Sequence, residues 1–331
     1  MLTSVRVVLF RVLPPVFTIF LAACGSNSIG TSTSPRSLPP PLHSPYLYVG
    51  MESYPVGEWP NTYCQPGELL QFTLPITSAS TPTVTVLNAD TNIASLAVDT
   101  SGNVAGGYGS YCQTEAPSVM LFKAPLSSLT TAYAHLRNGV SWTGGQPIFN
   151  AAGDLFLPSG AHVLQFMHPL KSDSTPSQVI PPQPYTYFAS AALDSKSNLI
   201  IASDYGVGVS NLLALPPPYA AAAITTTVVE GSYSGMAVNK TQLFVANPQL
   251  PQYKTARIDV YELPITASAV PIFSITKGLN YPTGIALDAP GNLYVIAGKS
   301  ITVYRPPYSA SSVPSLTLSL GILPTVIAIG K

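Results

Sequence analysis

Short apolar segments alternate with clusters of glycine, proline, serine and asparagine along most of this 331-residue chain. The segments are rich in Val, Ile, Leu and Tyr, which favour β-strands, and no stretch after residue 43 keeps a helical period. In the last complete unit the pattern predicts strands over 283–288, 292–297, 300–305 and 315–320. We therefore expect an all-β protein.

Two features recur along the chain. A short strand ends in Asp or Asn before a tight turn, at 96–99, 147–150, 191–194, 236–239 and 285–288. An aromatic residue or leucine stands three positions before a proline, at Phe72/Pro75, Phe122/Pro125, Phe166/Pro169, Leu213/Pro216, Tyr261/Pro264 and Tyr304/Pro307. Successive prolines of the second feature are 50, 44, 47, 48 and 43 residues apart, which is the period of a four-stranded propeller blade. The repeats predict a six-bladed β-propeller.

The two ends of the chain predict how the ring closes. Residues 45–50 match the second strand of a unit, and residues 323–329 match an innermost strand. Pairing them would cover two sheet edges that otherwise favour aggregation, so we expect the C-terminal strand to complete the first blade. Alanines stand two positions before the turn residue in most units, and we expect them to face the narrow axis. They are Ala97, Ala192, Ala237, Ala286 and Ala328.

Residues 1–23 have the pattern of an export signal. Arg6 and Arg11 precede and enter an apolar stretch that ends in Leu-Ala-Ala-Cys at Cys24 and is too short and proline-broken for a permanent membrane span. Leu-Ala-Ala-Cys resembles the bacterial lipoprotein box, which implies cleavage before Cys24 and acyl chains on that residue. The alternative is an ordinary signal peptide with a chance cysteine.

Residues 24–43 are expected to form a flexible linker. They are mostly Ser, Thr, Pro and Gly, a composition that cannot bury enough apolar area to offset its ordering entropy. Gly25 follows the cysteine, where an aspartate would favour inner-membrane retention, so we expect the outer membrane or the cell surface. Residues 44–331 would then form a propeller held at the bacterial cell envelope by a lipid anchor.

The segment 284–295, Gly-Ile-Ala-Leu-Asp-Ala-Pro-Gly-Asn-Leu-Tyr-Val, resembles an NHL repeat, with a weaker echo at 97–104. The resemblance implies a six-bladed disc that binds proteins, peptides, sugars or RNA on one face. Some similar propellers, the gluconolactonase type among them, are metal-dependent hydrolases, and others are lyases. The resemblance therefore speaks for the fold more than for an activity.

Composition argues against some partners. The chain has 14 basic and 14 acidic residues, and only 8% of its residues are charged. Binding to phosphate backbones depends on clustered Lys and Arg, so we expect no nucleic-acid partner. The sequence has no phosphate loop or dinucleotide fingerprint. We expect a monomer with no cofactor and no metal site.

Two cysteines remain besides Cys24. Cys64 and Cys112 both fall between the second and third strands of adjacent units, which puts them on the same face of neighbouring blades. An oxidising compartment favours a disulfide between them, and two free thiols or a metal site are the alternatives. Zinc is disfavoured because no histidine stands near either cysteine in sequence.

Candidate catalytic groups have structural interpretations. Asp99, Asp194 and Asp288 each open a turn, where the carboxylate is expected to cap local amides. The 231–235 segment resembles a nucleophile elbow, but its central residue is Tyr233 and no helix follows. His162 and His168 lie an even number of residues apart on one predicted strand, as packing or surface residues do. We predict no catalytic residue.

Aromatic residues are concentrated in the loops of one predicted face. The candidate ligand-binding residues are Glu52, Tyr54, Glu58, Trp59, Tyr63, Tyr108, Tyr111, Trp142, Tyr187 and Tyr233. Further tyrosines on this face are Tyr185, Tyr205, Tyr253 and Tyr281. Tyr and Trp suit contacts with sugars, peptides or protein loops. The alternative is that these rings only cover the loops that carry them.

Three functions follow from these observations. The first is a lipid-anchored binding or scaffold module for a protein, peptide or glycan, which is not an enzyme. The second is a metal-dependent lactonase or lyase, whose nearest acidic and amide candidates are Glu52, Glu58, Glu115 and Asn92. The third is a structural part of an envelope assembly.

Overall fold

A computed structural model describes most of the predicted propeller. The described residues are 45–51, 55–56, 63–64, 67–87, 93–108, 116–141, 144–180, 187–204, 210–219, 224–227, 233–248 and 256–330. All of them belong to one compact unit, His43–Lys331. These residues form strands, turns and loops, and none lies in a helix long and apolar enough to cross a lipid bilayer.

Twenty-six strands are present in the described residues. In chain order they are β1 (Tyr46–Met51), β2 (Pro55–Val56), β3 (Tyr63–Cys64), β4 (Glu68–Thr73), β5 (Val84–Leu87), β6 (Ile93–Val98), β7 (Val104–Tyr108), β8 (Ser118–Phe122), β9 (Ala134–Leu136), β10 (Ile148–Phe149), β11 (Leu155–Ser159), β12 (His162–Phe166), β13 (Gln178–Ile180), β14 (Tyr187–Leu193), β15 (Leu199–Asp204), β16 (Ser210–Leu215), β17 (Ile224–Thr227), β18 (Gly235–Val238), β19 (Gln242–Asn247), β20 (Arg257–Glu262), β21 (Phe273–Ile275), β22 (Pro282–Leu287), β23 (Leu293–Ala297), β24 (Ser300–Tyr304), β25 (Leu316–Ser319) and β26 (Pro324–Gly330).

Six antiparallel sheets of four strands form the blades of a β-propeller, as the repeats predict. Blade one is β26-β1-β4-β5, and blades two to six take the strands β6–β9, β10–β13, β14–β17, β18–β21 and β22–β25. Within a blade, the first and third connections lie on one side of the ring, which we call the turn face. The second connection and the passage to the next blade lie on the opposite side, the loop face.

The C-terminal strand closes the ring. β26 pairs antiparallel with β1, in the register Tyr46↔Gly330 to Gly50↔Val326, and becomes the innermost strand of blade one. The hydroxyl of Thr325 donates to the carbonyl of Gly50 at 3.1 Å and to that of Ile93 in blade two at 2.9 Å. The predicted closure is therefore confirmed, and the closure strand also binds the next blade.

Apolar clusters fill the spaces between neighbouring blades. The interface of blades six and one includes Leu47, Phe72, Ile301 and Ile327, all at most 1% exposed. The alanines before the turns belong to these clusters; Ala286, for example, packs beside Ile327. The expectation that they face the axis was wrong. Innermost strands of adjacent blades come closest together, so a small residue is needed where one blade contacts the next.

The Asp and Asn turns on the turn face cap themselves as predicted. Asp99 Oδ1 accepts bonds from the amides of Ser101 and Asn103, both at 2.8 Å, and its Oδ2 accepts from Asn103 Nδ2 at 2.7 Å. The Asp194 and Asp288 carboxylates accept the same bonds from Asn198 and Asn292. These three aspartates are structural.

One sequence anchor was misplaced. Leu215 pairs with Leu199, as Phe122 pairs with Val104, and the peptide bond before Pro218 is cis like that before the other five anchor prolines. The anchor of blade four is therefore Leu215/Pro218, two residues beyond Leu213/Pro216. The consecutive prolines at 216–218 satisfy the spacing rule twice, so local sequence could not choose between them.

The connection between the third and fourth strands is a second repeated motif, which the sequence analysis missed. In four blades two Ser, Thr or Lys residues three positions apart exchange bonds; Ser309 N donates to Ser312 Oγ at 2.9 Å, and Ser312 N donates to the Ser309 carbonyl at 3.1 Å. The other three pairs are Thr77/Ser80, Ser127/Thr130 and Lys171/Ser174. The signal was available, because each pair follows its anchor proline by two residues.

Candidate functional site: the loop face of blades four and five

Most of the predicted ligand-binding residues lie outside the described residues. The main chain places Tyr63 and Cys64 in β3, Tyr108 in β7 and Tyr187 in β14, at the loop-face ends of their strands. Those not described are Cys24, Glu52, Tyr54, Glu58, Trp59, Tyr111, Cys112 and Trp142. Asn92 and Glu115, proposed for the enzyme alternative, are also not described. The aromatic surface and the Cys64–Cys112 disulfide remain predictions.

The longest connection of the loop face, between β1 and β4, contains a short hairpin. Between β1 and β4, the short strands β2 and β3 pair antiparallel, with Pro55 opposite Cys64 and Val56 opposite Tyr63. The hairpin brings the main chain of Pro55 and Val56 beside that of Tyr63 and Cys64. Cys64 therefore stands at the end of a paired strand.

Tyr233 does not present its ring to solvent. It is 1% exposed, and its hydroxyl lies 2.5 Å from the hydroxyl of Tyr261. Its amide donates to Ser210 Oγ at 3.2 Å, and its ring belongs to the apolar cluster between blades four and five, with Leu212 and Met236. The expectation of an exposed contact residue was wrong at this position, because the chain has already entered the interior at Tyr233.

A buried charged network lies beside the tyrosine pair. Asp259 is 1% exposed, and its carboxylate accepts bonds from Arg257 Nε at 2.9 and 3.1 Å. Asn247 Nδ2 donates to Oδ2 at 3.1 Å, and Ser274 Oγ donates to Oδ1 at 2.6 Å. Residues two apart on a strand share a face, so Asp259 and Tyr261 both face blade four. We call Tyr233, Asn247, Arg257, Asp259, Tyr261 and Ser274 the blade 4/5 polar network.

A carboxylate at this place departs from the repeat. Asp259 stands two residues before the anchor aromatic of its blade, and the corresponding residues of the other blades are Leu70, Met120, Leu164, Leu213 and Thr302. Burying a carboxylate is costly unless it is paired and hydrogen-bonded, as Asp259 is. An alignment of the repeats would have identified Asp259 as the only charged residue at this position.

Polar groups also join the innermost strands at their loop-face ends. The main-chain carbonyl of Gln146 in blade three accepts from the Ala191 amide at 2.9 Å, and its side-chain Oε1 accepts from the Met236 amide in blade five at 3.1 Å. Ser234 Oγ donates to the Pro282 carbonyl at 3.2 Å. One residue of blade three thereby bridges blades four and five.

The tyrosine pair is held neutral. Burial, together with the adjacent Tyr261 hydroxyl and Asp259 carboxylate, raises the pKa of Tyr233 far above its ordinary value. Burial also raises the pKa of Tyr261, although its hydrogen bond with Tyr233 opposes this rise. Two neutral hydroxyls can share one hydrogen bond. The pair is therefore suited to holding its two side chains in a fixed position relative to each other. Among the residues that the structure describes, no three His, Cys, Asp or Glu side chains are grouped so as to hold a metal ion.

Comparisons with known proteins support the architecture. No protein-family model matches the chain, and no curated protein matches it. A protein of unknown function from Bacteroides caccae superimposes with a TM-score of 0.58 at 8% identity, over 86% of this chain and 98% of that one. A "putative 6-phosphogluconolactonase" from Bacteroides uniformis superimposes with a TM-score of 0.50 at 10% identity, over 86% and 99%. At such identities the likeness shows the β-propeller fold alone.

Proposed function

We propose that this protein is a lipid-anchored binding module of the bacterial cell envelope that captures a protein, peptide or glycan on its loop face. The observation that carries the proposal is the blade 4/5 polar network, a buried charged group at the base of that face in a chain with few charges. Fully paired buried polar groups rigidify their surroundings. Loops that are anchored on a rigid base lose less conformational entropy when they bind a ligand.

The chemistry of the expected ligand follows from the residues of the loop face. The sequence places two tryptophans, many tyrosines and four glutamates in its connections, and the basic residues there fall singly in four different connections. Rings with a polar edge stack on sugars and pack against peptide side chains. An anionic polymer has little to bind there, since such ligands need clustered Lys and Arg.

Binding is tested with the fragment 44–331, in which the ring closes through its own strands. The fragment is screened against glycans, peptides and divalent metals by thermal shift, and hits are measured by calorimetry. We expect hits among glycans or peptides, weakened at least tenfold by Trp59→Ala or Trp142→Ala and unchanged by Tyr133→Ala on the turn face. Stabilisation by a metal alone would favour the lactonase or lyase alternative instead.

The anchor is tested separately. Sequence supports lipidation of Cys24, and we expect wild-type protein expressed in a Gram-negative host to incorporate labelled fatty acid and to remain with the membrane fraction. Cys24→Ser should abolish uptake of the label and the lipid-dependent cleavage before residue 24. If wild-type protein takes up no label and Cys24→Ser is still processed to the same mature form, an ordinary signal segment is the better interpretation.

The cysteine pair belongs to the same proposal. A Cys64–Cys112 disulfide would join the loops of blades one and two and reduce the entropy that they lose on binding. Peptide mass mapping of protein secreted to the periplasm, without reductant, should recover the cross-linked pair. Recovery of both cysteines as free thiols would exclude the disulfide.

A further inference from the structure

A shallow pocket lies on the turn face, opposite the proposed binding surface. It has a volume of about 100 Å³ and lies between blades four and five. The buried side chains of Ile200, Ala214 and Ile265 line its interior. Pro216, Pro264 and Asp194 are its more exposed lining residues. The pocket is independent of the loop face and of the function proposed for it.

The pocket lies at a place where two other interfaces hold a pair of aromatic rings. At two other interfaces, an aromatic residue in the second strand of one blade packs edge-on against the tyrosine that follows the cis proline of the next blade. These pairs are Phe156–Tyr219, with ring centroids 5.1 Å apart, and Phe244–Tyr308, with centroids 5.0 Å apart. The corresponding residues between blades four and five are Ile200 and Ile265. Neither is aromatic, and both line the pocket.

Blade six shows which group the same place accepts. Tyr294 occupies the position of Ile200, since it pairs with Ala286 as Ile200 pairs with Ala192. Its hydroxyl donates to Asp288 Oδ2 at 3.1 Å. Asp194 is the equivalent carboxylate in blade four, and its Oδ2 accepts a bond from Asn198 Nδ2 at 2.7 Å. A carboxylate oxygen can accept a second hydrogen bond.

We propose that this pocket binds the side chain of a tyrosine presented by a peptide segment of a partner protein. The phenol ring would lie against Ile200 and Ile265, between the two prolines, and its hydroxyl would donate to Asp194. A cavity of roughly 150 Å³ holds benzene, so this smaller open pocket admits one ring with an edge left in water. The ligand would thus supply the phenol that blade six supplies from its own chain.

The test uses the fragment 44–331 with ¹³C-labelled isoleucine methyl groups and N-acetyl-tyrosinamide as the probe. We expect titration to shift the methyl signals of Ile200 and Ile265 and to leave those of Ile322, an exposed isoleucine beyond β25, unchanged. N-acetyl-phenylalaninamide should bind about 2- to 10-fold more weakly, because it lacks the hydroxyl that Asp194 accepts. Equal shifts for both probes would exclude the bond to Asp194.

Two variants fill the pocket by copying other blades. Ile200→Tyr reproduces Tyr294, and Ile265→Tyr reproduces Tyr219 and Tyr308. Each should weaken binding of the tyrosine probe at least tenfold, whereas Ile322→Tyr should leave binding unchanged. Using both variants keeps the test decisive if one of them does not fold. Unaltered binding in a folded filled variant, or absence of methyl shifts at millimolar probe, would overturn the proposal and leave the loop-face function untouched.

Discussion

The interface between blades six and one and the interface between blades four and five occupy equivalent places in the ring but differ in chemistry. The first is apolar, with Leu47, Phe72 and Ile327 all buried. The second is apolar only in its middle, around Leu212 and Leu243. Its loop-face end carries the blade 4/5 polar network, and its turn-face end carries the pocket.

The difference follows from connectivity. Blades six and one are joined through β26, which brings together two ends of the chain that are far apart in sequence. Forming that contact costs loop-closure entropy. Apolar burial and a full ladder of strand hydrogen bonds provide most of the free energy that offsets this cost. Blades four and five are consecutive in the chain, so their contact closes only a short segment. Their interface can therefore accommodate a buried charge and an unfilled volume.

Removing the closure strand should have the largest effect. Deletion of residues 323–331 leaves β1 as an unpaired innermost edge, and we expect loss of cooperative unfolding and aggregation on a sizing column. Ile327→Ala should keep the fold but lower the free energy of unfolding by about 2–5 kcal/mol. Ile322→Ala, at an exposed position, is the control. A monomeric deletion variant with an unchanged denaturation curve would contradict the role given to β26.

Alkaline pH should next separate the interface of blades four and five from that of blades one and two, which the closure strand β26 also lines. Burial raises the pKa of Tyr48, in β1 at the interface of blades one and two, to about 12, and raises those of Tyr233 and Tyr261 as well. The folded state thus holds these protons more tightly than the unfolded chain, whose tyrosines titrate near pH 10. Their stabilisation is complete below about pH 10 and is lost as pH rises through about 12.

The measurement is the urea midpoint between pH 8 and 12. Wild-type protein should lose stability above about pH 10, and Tyr48→Phe and the double variant Tyr233→Phe/Tyr261→Phe should each delay part of this loss. The variant that delays the loss of stability more identifies the interface whose tyrosines destabilise the folded state first as pH rises. A midpoint that stays constant to pH 12 would contradict the assignment.

Breaking the buried ion pair should affect only the interface of blades four and five. Asp259→Ala leaves the guanidinium of Arg257 without its carboxylate, a change that costs about 3–5 kcal/mol in a fully buried pair. Because Arg257 is 19% exposed, we expect about 3 kcal/mol by urea denaturation. The double variant Arg257→Met/Asp259→Leu, with the leucine of blades one, three and four, should recover most of the loss. Equal losses in both variants would mean that the charged pair itself is not responsible.

Separating the tyrosine hydroxyls should have the smallest effect. Tyr233→Phe leaves the buried Tyr261 hydroxyl without its partner at 2.5 Å, and we expect a loss of about 1–2 kcal/mol. Tyr233→Phe/Tyr261→Phe removes both hydroxyls and should be closer to wild type at neutral pH. Tyr281→Phe, at a half-exposed position, is the control and should unfold at the wild-type midpoint. A double variant weaker than the single one would indicate another partner for these hydroxyls.

Much of the fold could be predicted, whereas little of the described site could. The 283–288 and 300–305 strands, the Asp99 turn and the C-terminal closure all depend on local patterns that recur in each unit. Tyr233 was expected on an exposed loop because it lies in the segment that joins one unit to the next. Its burial depends on Tyr261, which lies 28 residues away.

The amino-acid sequence by itself determined the number of blades, the position of the capped turns and the strand that closes the ring. These properties follow from the alternation of side chains along a strand and from turn residues, which act over a few positions. Only the tertiary structure decided that Ala286 faces a neighbouring blade, that Asp259 is buried in a polar network, and that Ile200 leaves a pocket. Each of these depends on side chains from adjacent blades, which meet only when the ring is closed.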